Sequence, residues 1–170
     1  MTSAERGVAC VGCGAIVPDV DGPTHRYIGA LPGCWAIFGE VLAREYTHAR
    51  YGRAHRLTVD SYTAQHPGTP SPQSIQSVAV HLMSLHLVLD RGYDHARATR
   101  AMQEATTRKG AYRWLEPPPS LGPVTVLDVV GVDDPPEYAR QVERWARSVW
   151  SAWAPHHGTI RGGPFSSRRG

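Results

Sequence analysis

Apolar residues recur at intervals of three and four along most of the chain, and that spacing predicts helices. The first covers 34–51, where Trp35, Phe38, Leu42 and Tyr46 form one stripe and Gly52 falls where a C-terminal cap belongs. The second covers 54–66, with Leu57, Val59 and Tyr62 as its apolar side, and it stops at Pro67-Gly68. Proline pushes the residue before it out of the helical region, so His66 sits at a helix end. The third starts near Pro72 and runs to about Asp90, with Ile75, Val78, Leu82, Leu85 and Leu89 in register. A fourth, 94–109, is polar with few large apolar groups and is expected outermost. The last covers 136–154, with Asp134 as cap, Pro136 in the first turn, and Val142, Trp145, Val149 and either Trp150 or Trp153 facing inward.

Between these helices the pattern breaks. Residues 10–33 carry glycine, proline and aspartate too often for a helix and read as loop with short strand pieces. Residues 110–135 are irregular. They hold the polyproline stretch Pro117-Pro118-Pro119 and an apolar run at 125–132, read as an isolated strand or an extended segment packed on the helices. One strand cannot make a sheet. The predicted fold class is therefore mainly α: about five helices in one domain over 10–160, with a loop-rich N-terminal CxxC knuckle. Residues 1–9 and 161–170 are expected to be flexible tails.

Composition narrows the function classes. At 170 residues, such a chain buries roughly two-thirds of its unfolded surface and needs no disulfide staple. The net charge of +3 is mild, and the arginines are scattered apart from Arg168-Arg169. No basic stripe with interleaved aromatics and no groove-reading motif is present, so nucleic acid is not expected as a partner. No apolar stretch approaches about 18 residues, so no membrane span is expected. The N-terminus lacks the pattern of a secretory signal, and cytoplasm is the expected location.

Chemistry concentrates in cysteine and histidine. Cys10-Val-Gly-Cys13-Gly has the spacing of a metal knuckle, in which the backbone curls so that both sulfurs reach one ion. Cys34 follows at a helix start, where the helix dipole favours thiolate. The alternatives are a redox pair, which would want a helix directly after the motif, or plain reduced thiols. His66 is the candidate fourth ligand, against a reading as a helix cap. His25, between the cysteines, and His81 are reserves. His81 lies inside the apolar stripe of the third helix, so it is either a satisfied core residue or a ligand or acid/base group. Asp60 and His66 are six residues apart, about 600° around a helix, and cannot chelate one ion. Tyr62 and His66 do share a face. Arg56, one turn before Asp60, is its simplest partner.

Taken together, C-x-x-C-G at 10–14, D-G-P-T-H-x-Y at 21–27, P-G-C-W at 32–35, H-R-L-T-V-D-S-Y-T-A-Q-H-P-G at 55–68, Q-S-V-A-V-H-L at 76–82 and W-A-R-S-V-W-S-A-W at 145–153 resemble a family of small bacterial proteins known only as a domain of unknown function. The resemblance spans roughly residues 10–155 and implies no activity. It groups Cys10, Cys13, His25, Cys34, Asp60, His66, His81 and His157 as family marks. Three expectations follow. The first is a Zn²⁺-binding protein with Cys10, Cys13, Cys34 and His66 as ligands. The second is a metal-dependent enzyme with an open coordination site between helices 54–66 and 73–90, with Asp60 and His81 as catalytic acid/base. The third is an interaction module displaying Trp145, Trp150 and Trp153. No substrate or partner is legible.

Overall fold

The computed structural model describes residues 6–162. It begins with an antiparallel hairpin of β1 (Gly7–Ala9) and β2 (Ile16–Pro18), with Val8 opposite Val17. The CxxC knuckle forms the turn of this hairpin: the Cys10 amide donates to Ala15 O and the Gly14 amide to Cys10 O. Gly14 has φ +75°, a conformation open to glycine without cost. The expected short strand pieces are thus present, and one of them, β1, lies in the stretch expected as a flexible lead-in. Of the expected C-terminal tail, Arg161 is the last residue of a helix and donates to Asp90 at 3.1 Å, while residues 1–5 and 163–170 lie outside the described residues.

The rest is helical. α1 is Pro32–Thr47 and α2 is Ala49–Gly52, split at His48, whose backbone is extended. The single helix expected over 34–51 is therefore two, with its start two residues earlier at Pro32. Tyr46, expected on the buried stripe, is 74% exposed because the stripe runs out at this break. α3 is His55–Gln65, and α4 is Pro72–Leu89, opened by a capping box in which Ser71 and Ser74 exchange side-chain and backbone bonds. α5 is His95–Thr106, resting Ala98, Met102 and Ala105 on α4.

The apolar run at 125–132 is neither strand nor extended. It coils into the short helix α6, Leu127–Val130, packed against α1. Its free carbonyls are taken by Arg44 of α1, which donates to Val129 O, Val130 O and Val132 O at 3.0–3.2 Å. α7 is Pro135–Ala152, capped by Asp134 as expected, and a short 3₁₀ turn at Ala154–His156 leads to α8, His157–Arg161. No described helix is long and apolar enough to cross a membrane.

α3 stands at the centre, packed by α4, α7 and α1. Almost every one of its side chains from Leu57 onward is buried, although its composition is polar. Trp145 and Trp153 of the C-terminal segment are fully buried against it and Trp150 nearly so, which removes the exposed tryptophan face on which an interaction module would rest. Their polar edges point inward. Trp145 Nε1 donates to Gln65 Oε1 at 2.9 Å and Trp153 Nε1 to Ala64 O at 3.0 Å.

Candidate metal centre

A helix ends with four carbonyls that lack an intrahelical donor. α3 disposes of them in a way that fixes one imidazole. Its cap residue His66 donates its own amide to Thr63 O and its Nδ1–H to Tyr62 O, the latter at 2.7 Å, while Trp153 takes Ala64 O. With Nδ1 committed as a donor, Nε2 is the nitrogen left to face the cysteines. Tyr62 stacks on the ring at 4.0 Å and on Phe38 at 3.7 Å, so the imidazole cannot swing. Pro67 then ends the helix, and His66 O accepts the Gly29 amide at 3.1 Å, tying the loop after the knuckle to the end of α3.

His66 Nε2 points at sulfur. Cys34, in the first turn of α1, brings Sγ to 3.5 Å from Nε2, and Cys13 Sγ lies 3.9 Å from Cys34 Sγ. The ligand atoms of Cys10, Cys13, Cys34 and His66 all lie within 4.8 Å of one another. These distances have a meaning. Zn–S bonds of about 2.3 Å and a Zn–N bond of about 2.0 Å at tetrahedral angles put sulfurs about 3.8 Å apart and sulfur and nitrogen about 3.5 Å apart. The sulfurs are too far apart for a disulfide, and all three thiols are free. The Cys34–His66 and Cys13–Cys34 separations match two edges of such a tetrahedron, and the four-residue donor set can bind a metal.

Its burial argues the same way. Cys34 and His66 are fully buried, Cys10 is 3% exposed, and Cys13 is half-buried. Without an ion the four groups divide protons between them. Side-chain hydrogen bonds with Cys13 and then Cys34 hold Cys10 far below the ordinary thiol range. Contacts with Cys10 and Cys13, aided by burial, push Cys34 far above it, despite its place at a helix N-terminus. Burial opposes charge on His66, but hydrogen bonds with Cys10 and Cys13 overcome it and raise the imidazole to about 9. A divalent cation held by these four residues would relieve this competition by replacing the shared protons.

Tyr62 was legible in the sequence as sharing a face with His66, but not as a neighbour of sulfur. Its hydroxyl donates to Cys34 Sγ at 3.4 Å, and burial, then that bond, push its own pKa well up. Gly12 was legible only as part of the knuckle. A Cβ there would lie 2.4 Å from His66 Cδ2 and 2.5 Å from Gly29 O, so only glycine lets the knuckle close onto the imidazole. Gly12→Ala is expected to weaken the cluster's affinity for a metal ion by about tenfold or more, measured by competition with a chromogenic chelator. Unchanged affinity would show that the knuckle does not need this close approach.

The other candidates fall elsewhere. His25 packs its ring edge-on to Tyr27 at 4.3 Å and lies 5.5 Å from Trp35, apart from the cluster. Asp60 and His81 are brought together, with Nδ1 to Oδ1 at 2.7 Å, and Arg56 and Ser84 also bond Asp60. That network lies about 9 Å along α3 from His66 and on another face. Glu45, which drew no attention in the sequence, is buried and accepts from Thr58, Tyr138 and His55. His157 stacks on Trp150 at 3.7 Å and bonds Trp150 O.

The model of a family of unknown function (DUF5946) matches residues 8–154, which takes in all four members of the cluster. No curated protein and no solved structure matches the chain.

Proposed function

Starting from the fact that the chain belongs to this family of unknown function (DUF5946), we propose that it is a zinc-binding protein. Cys10, Cys13, Cys34 and His66 hold one Zn²⁺ in a closed four-ligand site. The observation that carries this reading is the mutual spacing of the four ligand atoms, all within 4.8 Å. Three thiols and an imidazole gain little by meeting in a core, since buried polar groups need partners. Sulfur-rich donors in a tetrahedral arrangement suit Zn²⁺ among common divalent ions.

The role is structural: the ion ties the β1–β2 hairpin to the start of α1 and the end of α3. Two strands of three residues are not stable alone, and an ion bound across three elements supplies what the hairpin cannot. In this reading Asp60 and His81 form a packing pair that satisfies a buried carboxylate.

Elemental mass spectrometry on untagged protein tests it. About one zinc per chain is expected in the wild type and in His25→Ala, with loss in Cys13→Ser and His66→Ala. No zinc in the wild type after reconstitution under reducing conditions would sink the reading. Full zinc in His66→Ala would remove His66 from the ligand set.

A further inference from the structure

A cavity of about 340 Å³ lies where α4, α8 and the segment after α5 meet. Its floor is Ala79 and Met83, one turn apart on α4, together with Leu115 and Ile160, and all four are buried. Positions four apart share a helix face, and the small side chain at Ala79 leaves that face shallow. The wall is held from both ends. The Tyr112 hydroxyl donates to Ala105 O at 3.0 Å, which spends its polar group on α5 and leaves the ring as lining. Four residues on, Glu116 O accepts from His156 Nε2 at 2.7 Å. The segment between is tied to the helices on either side, so the cavity is pre-formed. Its volume falls at the lower end of the range for ligand pockets, about 300–1,000 Å³.

The rim has a different chemistry. Ala111, Arg113 and Thr159 are exposed there, and no charged side chain but Arg113 lines the cavity among the described residues. Arg113 Nη2 donates to Thr159 Oγ1 at 3.3 Å, and the guanidinium has no carboxylate partner among the described residues. A hydroxyl that accepts a bond keeps its own proton to give. Side by side, the two groups offer a planar fork of N–H donors and one O–H donor to a single anion.

We propose that this cavity binds a small monocarboxylic acid in its ionised form. The apolar body lies inward against Met83, Tyr112 and Ile160, and the carboxylate lies outward on Arg113 and Thr159. The two ends of the cavity select this class. The floor offers a polar molecule nothing to bond, a cation would meet a guanidinium of like sign, and one guanidinium matches one carboxylate charge for charge. The proposal does not depend on the zinc reading, since no lining residue belongs to the metal cluster.

The probe is 4-phenylbutyrate, titrated calorimetrically into the full chain, with 4-phenylbutanamide as its uncharged counterpart. The acid is expected to bind, and the amide to bind roughly tenfold or more weakly, because charge-assisted hydrogen bonds hold the head group. Arg113→Met keeps an apolar stem without the charge and is expected to weaken the acid by a similar factor. Ala111→Trp fills the rim from an exposed position and is expected to abolish binding with the melting temperature unchanged. Absence of binding at millimolar acid overturns the proposal. So does an amide that binds as well as the acid, or acid binding that keeps its full strength in Arg113→Met or Ala111→Trp. The comparison of acid with amide is made on the wild type, so it stands whatever either variant does to folding. Zinc content bears on none of these outcomes.

Discussion

On the zinc-binding reading proposed above, stripping the ion with a strong chelator is expected to lower the melting temperature by about 10 °C or more. A ligand present at about a thousand times its dissociation constant stabilises by about 4 kcal/mol, and structural zinc sites commonly bind more tightly than that. For a chain of this size each 1 kcal/mol moves the midpoint by about 2–4 °C. Scanning calorimetry before chelation, after it, and after zinc is restored reads the effect. An unchanged midpoint in protein shown to be zinc-free would remove the structural role. The effect depends on pH in a stated direction. In the metal-free cluster the pKa of His66 is raised from 6.5 to about 9 and that of Cys34 is pushed above its ordinary range, so both hold protons near neutrality. A raised imidazole favours the metal-free form below its unfolded pKa, and that advantage fades as pH climbs through about 9. Zinc must displace these protons. Binding therefore releases protons and tightens as pH rises through the neutral range, which titration calorimetry in buffers of different ionisation enthalpy detects.

Asp60→Ala is expected to cost about 3–5 kcal/mol of stability while the folded fraction keeps its zinc. Asp60 is fully buried and is the shared acceptor for Arg56 Nε at 3.1 Å, Arg56 Nη2 at 2.8 Å, His81 Nδ1 at 2.7 Å and the Ser84 hydroxyl. Truncation leaves a largely buried guanidinium and a buried hydroxyl without their partner, and orphaned buried groups carry the full cost of desolvation. Urea unfolding with elemental analysis of the soluble protein separates the two readouts. Zinc loss from well-folded Asp60→Ala would connect this network to the metal site. A stability change below about 1 kcal/mol would mean that Arg56 and His81 find other partners.

The helices were largely readable because periodicity is a local signal: one apolar face every 3.6 residues is written into the order of side chains. The failures share a cause. The run at 125–132 has the composition of a strand, but it forms α6, where Arg44, more than eighty positions earlier, donates to the carbonyls of Val129, Val130 and Val132. The break at His48 and the exposure of Tyr46 depend likewise on where α1 meets its neighbours. α3 is the sharpest case. Its expected apolar side was only Leu57, Val59 and Tyr62, yet it is the centre of the protein, since Gln65, Asp60, Thr58 and His66 each have a partner from another element or turn.

By itself, the sequence determined the helical class, the knuckle, and the short set of residues able to hold a metal. Spacing within one segment also showed that Asp60 and His66 could not share an ion. Only the tertiary structure decided that Cys34 and His66, 32 positions apart, meet at 3.5 Å, that His25 stays apart, and that Cys13 alone of the cysteines is half-buried. Sequence spacing sets which groups can share a turn. Which turns come together is set by burial and by the pairing of every buried donor and acceptor, and these depend on the whole chain.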